Sequence, residues 1–127
     1  MTTSPKIILV GHCGPDVAML TGAVRRHVPG ASIERINSAS QLDEASGGAV
    51  LLVNRVLDGA FPTTEGIEFI RTLMARDAST KAMLVSNFED AQADAVAAGA
   101  TPGFGKRDLY AASTGERLRA ATGTPST

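Results

Sequence analysis

Short apolar runs alternate along the chain with longer segments that have helical spacing. Residues 7–10, 50–53 and 83–85 are continuously apolar, which is typical of parallel strands that are covered by helices on both faces. The more polar run at residues 32–36 suits a strand at the edge of a sheet. A fifth strand near residues 101–105 is predicted from the spacing of the others, although Pro102, Gly103 and Gly105 are poor strand formers.

The segments between these runs predict five helices. The first carries an apolar stripe that ends at Val28, and it begins at Pro15, a residue that suits the first turn of a helix. The spacing of Ser38 and Gln41 predicts a capping box for the second helix. The starts of the other three helices are predicted at residues with capping side chains or charges: Thr64 and Glu65, Asn87, and Asp108. The fifth helix is expected to extend from residue 109 to about 121, and residues 122–127 to form a flexible C-terminal tail.

Five strand–helix units in strict alternation predict right-handed crossovers and a doubly wound α/β sheet. Ligands of such sheets bind beyond the carboxyl ends of the strands. The residues that follow the predicted strands are therefore the candidates for chemistry, and they comprise residues 11–13, Asn54, residues 86–87 and Lys106.

Composition narrows the class of protein. The chain has 127 residues, 43% of them apolar and 20% charged, which suits one folded domain. A net charge of -1 with interspersed charges argues against nucleic acid as a direct partner. Since no apolar run approaches about 20 residues and residues 1–5 do not resemble a signal peptide, we expect no membrane association and a cytoplasmic protein. The single cysteine, Cys13, rules out an internal disulfide.

The motifs along the chain resemble those of the receiver domains of two-component response regulators. Residues 7–16 resemble the family's first strand and its Pro-Asp helix start, residues 50–54 the strand that presents the phosphoacceptor, and residues 97–100 its Ala-Gly-Ala turn. The resemblance spans residues 6–121. It implies a flavodoxin-like fold, with a five-stranded parallel sheet in the order 2-1-3-4-5 flanked by five helices, as one receiver-like domain over residues 1–121.

The resemblance also implies a phosphoacceptor pocket, and in this chain that pocket is degenerate. Asn54 stands at the place of the acceptor aspartate, and His12 and Cys13 at the places of the acidic pair that holds magnesium. Ser86 and Lys106 match the family's hydroxyl and lysine. An amide is a poor nucleophile, and imidazole and thiol are softer donors than magnesium prefers. We therefore expect no phosphorylation at the usual site, and a pocket that is neutral to positive around Lys106 and holds at most a weakly bound anion.

Two further departures concern the loop after the third strand and the switch residue. The loop between Asn54 and Gly66 is longer than the family norm, and Phe61 within it is expected either to pack inward or to face a partner. Family members often place an aromatic residue three positions before the lysine, where this chain has Gly103. Phe104 cannot replace it, because neighbouring strand residues point to opposite faces.

The leading hypothesis is a pseudo-receiver, a response-regulator module of two-component signal transduction that stands outside the usual phosphorelay chemistry. The resemblance implies no enzymatic activity, no cofactor and a signalling protein as partner, either a histidine kinase or an output protein, while homodimerisation stays open. It implies an interaction surface on the fourth helix, fifth strand and fifth helix that includes Asp90, Lys106, Arg107 and Tyr110.

Several alternatives remain open at this point. His12 and Cys13 could bind a transition metal, or Cys13 could sense oxidants, although no third metal ligand is evident. A rival of a different class is a small flavodoxin-like cofactor- or anion-binding protein or enzyme. Residues 11–15 offer only part of the phosphate loop that a flavodoxin-like protein needs, and a cysteine phosphatase would need arginine where this chain has Met19.

Overall fold

Strands and helices alternate along the chain as the sequence predicts. The structure, a computed structural model, describes residues 4–44 and 48–124, without the side chains of residues 43 and 44. Its strands are β1 (Lys6–Val10), β2 (Ser32–Ile36), β3 (Val50–Asn54), β4 (Lys81–Val85) and β5 (Thr101–Phe104). Its helices are α1 (Gly14–His27), α2 (Ala39–Glu44), α3 (Gly66–Arg76), α4 (Glu89–Ala97) and α5 (Ala112–Thr122).

The five strands form one parallel sheet in the order β2-β1-β3-β4-β5. This confirms the flavodoxin-like, doubly wound sheet with strand order 2-1-3-4-5. The order reverses at β1, which pairs with β2 on one side and β3 on the other. The carboxyl ends of β1 and β3 therefore flank the position at which such sheets bind ligands.

Alternate residues of the central strands pack into two aliphatic cores, one on each face of the sheet. On one face, α3 and α4 pack against β1, β3 and β4 through Ile8, Val10, Leu51, Val53, Leu84, Phe69, Ile70 and Ala95. On the other face, α1 and α5 pack against the same strands through Ile7, Leu9, Leu52, Met83, Leu20, Val24 and Leu118. Burial on both faces explains why these strands are continuously apolar in sequence.

Two predicted helix caps are wrong. Asn87 does not cap α4, because that helix begins at Glu89 and the Asn87 side chain instead accepts a hydrogen bond from the backbone N–H of Arg107 at 3.1 Å. Asp108 does not cap α5, because it ends a short 3-10 turn and α5 begins four residues later. Asn87 is bonded to the turn between β5 and α5, and Asp108 is part of that turn. Neither residue therefore stands at a helix N-terminus. The capping role of Ser38 is confirmed, since its Oγ accepts the N–H of Gln41 at 3.2 Å.

The end of α5 lies in the segment for which a tail is predicted. Thr122 is the last helical residue, and Gly123 ends the helix with a φ of 73°. Residues 125–127 lie outside the described residues, so the flexible tail stays a prediction. In the described part of the chain, no helix has the length and apolar character that crossing a bilayer requires.

Candidate functional site

A cavity of about 290 Å³ opens at the carboxyl edge of the sheet, beyond β3 and β4. It is lined by Asn54, Arg55, Val56, Val85, Ser86, Asn87, Phe88 and Lys106. The structure thus brings together three of the five residues assigned to the degenerate phosphoacceptor pocket. His12 and Cys13 follow β1 at the same edge but do not line this cavity.

Asn54 ends β3 and is half-buried. Its register partner on β4 is Val85, and its Nδ2 donates a hydrogen bond to the carbonyl oxygen of Gly11 at 3.0 Å. This bond joins the ends of β1 and β3 and fixes the amide with its nitrogen toward β1. An aspartate could not make the same contact, because a carboxylate has no hydrogen to donate to a carbonyl.

His12 is completely buried. Its Nε2 lies 2.8 Å from the carbonyl oxygen of Leu52 and therefore carries the proton and donates it. Nδ1 is buried without a hydrogen-bond partner among the described residues. Burial lowers the pKa of His12 below its ordinary value of 6.5, and the positive charge of Lys106 acts in the same direction, while the bond to Leu52 opposes it. His12 is thus a neutral side chain that braces β1 against β3.

Lys106 is held by Asp16, a residue of the first turn of α1. The Lys106 Nζ donates to the Asp16 carboxylate, and the hydrogen bond lowers the pKa of Asp16 below its ordinary value. The sequence pattern places Asp16 at the helix start and does not predict this pairing. Because the carboxylate pairs with Lys106, the lysine adds no net positive charge to the pocket. Cys13, half-buried at the N-cap of α1, also contributes to the lowered pKa of Asp16.

Ser86 follows β4 and is buried, and its hydroxyl oxygen accepts the backbone N–H of Phe88 at 3.1 Å. The hydroxyl thus shapes the turn into α4. Phe88 itself is 61% exposed and lies against the guanidinium of Arg55, whose Cζ is 5.3 Å from the ring centroid. Neither residue is among the site residues predicted from the sequence, although an aromatic residue directly after Ser86 and Asn87 indicates an apolar group at this edge.

The long loop at residues 55–65 folds back over the carboxyl end of β1. Leu57 is buried there against Gly11, which has a φ of 73° and leaves no room for a side chain, since an ideal Cβ would lie 2.6 Å from Leu57 Cδ2. Phe61 packs inward against Phe69, with the rings edge to face and their centroids 5.2 Å apart. Of the two orientations left open for Phe61, the structure has the inward one.

At Gly103, where family members often have the aromatic switch residue, the backbone of β4 leaves no room for a side chain. An ideal Cβ on Gly103 would lie 2.1 Å from the carbonyl oxygen of Leu84. Gln92 occupies the space beside this contact, accepting from the Gly103 N–H at 3.2 Å and donating to the Leu84 oxygen at 2.9 Å. Phe104 is buried in the core on the α1 and α5 side, as expected for a side chain that points to the opposite face.

The donor set does not fit the magnesium ion that receiver domains use. His12 is turned to a backbone carbonyl, Asn54 binds Gly11, and Asp16 is paired with Lys106. Hard divalent cations prefer several oxygen donors, and the Asp16 carboxylate is already paired with Lys106. In the residues that the structure describes, no cluster of three His, Cys, Asp or Glu side chains could hold a metal ion.

Of the residues assigned to the interaction surface, Asp90, Arg107 and Tyr110 are exposed, whereas Lys106 is half-buried. Asp90 lies in the first turn of α4, and Arg107 is joined to the backbone oxygen of Asn87 at 3.3 Å. Tyr110 is 60% exposed and lies near His27 of α1, with a ring-centroid distance of 6.3 Å. His27 in turn donates a hydrogen bond from its Nε2 to the carbonyl oxygen of Leu109 at 2.7 Å.

Several solved structures have a fold similar to that of this chain. No protein-family model and no curated protein matches the chain. Among solved structures, it is similar to the signal receiver domain of a DNA-binding response regulator from Colwellia psychrerythraea 34H, at 19% identity and a TM-score of 0.60, with 83% of this chain and 87% of that chain covered.

Two other structures show the same likeness. A LuxR-family two-component response regulator from Aurantimonas sp. SI85-9A1 gives a TM-score of 0.69 at 18% identity, covering 97% of this chain and 88% of that one. The non-phosphorylated receiver domain of the stress response regulator RcsB from Escherichia coli gives 0.67 at 13% identity, covering 97% and 96%. The chain therefore has the fold of response-regulator receiver domains.

Proposed function

We propose that this chain is an atypical receiver domain that acts in signal transduction through protein–protein contacts and is not phosphorylated at the usual site. The observation that carries the proposal is Asn54, an amide bound to the Gly11 carbonyl at the position where a phosphoacceptor would need a free carboxylate. The loss of the acidic pair at His12 and Cys13 and the pairing of Lys106 with Asp16 support it further.

In this proposal the protein is a cytoplasmic module without catalytic activity or cofactor. Its partner is a signalling protein, either a histidine kinase or an output protein. The surface of α4, β5 and α5, with the exposed side chains of Asp90, Arg107 and Tyr110, is the family's usual contact face and serves the same purpose here. Side chains held by fixed hydrogen bonds at this edge favour a module with one conformation over a phosphorylation switch.

The experiment that tests the proposal is incubation with acetyl phosphate and magnesium, followed by intact-protein mass spectrometry. A conventional receiver domain treated in parallel shows that the reagent works. We expect the mass of this protein to stay unchanged. The gain of one phosphoryl group, mapped to the carboxyl edge of the sheet, would refute the proposal.

The rival function, a flavodoxin-like cofactor-binding protein or enzyme, finds less support. Its ligand would use the N-terminus of α1, where the Asp16 carboxylate is paired with Lys106. The negative charge that this helix end favours is therefore already supplied by Asp16.

A further inference from the structure

The mouth of the carboxyl-edge cavity exposes two apolar side chains in a chain that buries most of the others. Val56 is 55% exposed and Phe88 is 61% exposed, and both line the same cavity. Val56 belongs to the long loop after β3, and Phe88 to the turn before α4. Since the removal of apolar groups from water lowers the free energy, this pair favours a contact with an apolar side chain of another molecule.

Arg55 lies between these apolar groups and supplies an uncompensated positive charge. Its guanidinium lies over the Phe88 ring, and among the described residues no carboxylate forms an ion pair with it. The only other cation of the cavity, Lys106, is neutralised by Asp16. No carboxylate lines the cavity itself. The complementary group is therefore an anion, which a planar guanidinium binds best as a carboxylate or a phosphate.

The neighbouring groove carries more acidic than basic side chains. It has a volume of about 570 Å³ between α3 and α4 and shares Arg55 and Val56 with the cavity. Its other charged side chains are Glu65, Asp94, Glu68 and Arg71, the last two of which form an ion pair. A ligand with negative charge along its whole length would be repelled there. The arrangement of charge thus fits a single acidic group in the cavity followed by an uncharged or apolar segment, rather than a polyanion.

We propose that this cavity binds an acidic side chain of a partner protein, with an apolar neighbour in the partner that packs on Val56 and Phe88. The carboxylate meets the Arg55 guanidinium, and the Asn87 side-chain amide, which bonds through its oxygen to Arg107, keeps its N–H groups for the same anion. A free inorganic anion would leave the two apolar side chains exposed, whereas a peptide covers both. This inference rests on the proposed function, because it names the chemistry of a protein partner.

Selection from a random dodecapeptide phage library against the full chain tests the inference without knowledge of the partner. We expect enriched peptides to carry Asp or Glu next to an apolar residue. Synthetic copies should bind at least tenfold more weakly to Arg55→Gln and Phe88→Ala. The matched control variants Arg26→Gln and Met19→Ala, which change an exposed arginine and an exposed methionine on α1, should bind within twofold of the unaltered protein.

Other outcomes separate the inference from the function on which it rests. Enrichment of peptides without an acidic residue, or affinities that Arg55→Gln leaves unchanged, would overturn the inference. If binding were lost on Arg107→Gln or Tyr110→Ala instead, the peptides would dock on the α4–β5–α5 face, so the inference would fail and the proposed function would stand. Phosphoryl transfer to the chain in the acetyl phosphate experiment would defeat the proposed function whatever the peptides do.

Discussion

A side chain at Gly103 would overlap the backbone of β4, and we expect Gly103→Ala to lower the free energy of unfolding by about 1–3 kcal/mol. The added Cβ would lie 2.1 Å from the Leu84 carbonyl oxygen and 2.9 Å from Gln92 Oε1. The Leu84 oxygen also accepts from the Gln92 amide at 2.9 Å. The two strands must therefore move apart at this point, which also strains the Gln92 hydrogen bonds, each worth about 0.5–1.5 kcal/mol.

Urea unfolding followed by circular dichroism measures this change. Gly14→Ala is the matched control, because Gly14 lies in the first turn of α1 and an added Cβ meets no atom within 4 Å. We expect the control to leave stability unchanged or to raise it by up to about 1 kcal/mol. If Gly103→Ala unfolds at the same urea concentration as Gly14→Ala with an unchanged slope, the close approach does not constrain this position. An aromatic switch residue could then be accommodated there.

Three further predictions concern the carboxyl edge. Asn54→Asp alone should stay unphosphorylated by acetyl phosphate in mass spectrometry, whereas the triple variant with His12→Asp and Cys13→Asp should bind magnesium in calorimetry; rapid phosphorylation of the single variant would contradict the role given to the acidic pair. Because burial lowers the pKa of His12 below 6.5 in the folded state, the unfolded chain binds the extra proton. The free energy of unfolding should therefore fall as the pH drops below about 6.5, by up to about 1.4 kcal/mol per unit of pKa lowering. Urea unfolding at pH 7.5 and 5.0 measures this change, and His12→Gln should lose less stability between the two than the unaltered protein. Equal losses would count against the role of His12. Asp16→Asn should leave Lys106 unpaired and strengthen phosphate binding about fivefold, as expected from an ion pair worth about 1 kcal/mol, and NMR titration would show no change if Lys106 were already free.

The sequence predicted the sheet well because its strands are buried on both faces. Continuous apolar runs such as residues 50–53 have few other uses in a soluble domain, and the observed strand lies at residues 50–54. The caps at Asn87 and Asp108 were predicted from side-chain type alone and failed. A side chain of capping type bonds whichever backbone N–H lies within reach in the folded chain. For Asn87 this is the N–H of Arg107, twenty residues away.

The pattern of residues by itself determined which side chains end the strands. In a parallel sheet, the residues that follow the strands lie at the carboxyl edge, so the sequence predicts that Asn54, Ser86 and Lys106 lie together, and all three line the cavity there. Tertiary structure alone decided what these groups bind. The Lys106–Asp16 pair joins residues 90 positions apart, and its existence depends on where the N-terminus of α1 and the end of β5 meet. The same holds for Arg55 and Phe88, because a loop path and a helix start have to converge before a cation and a ring can share one cavity.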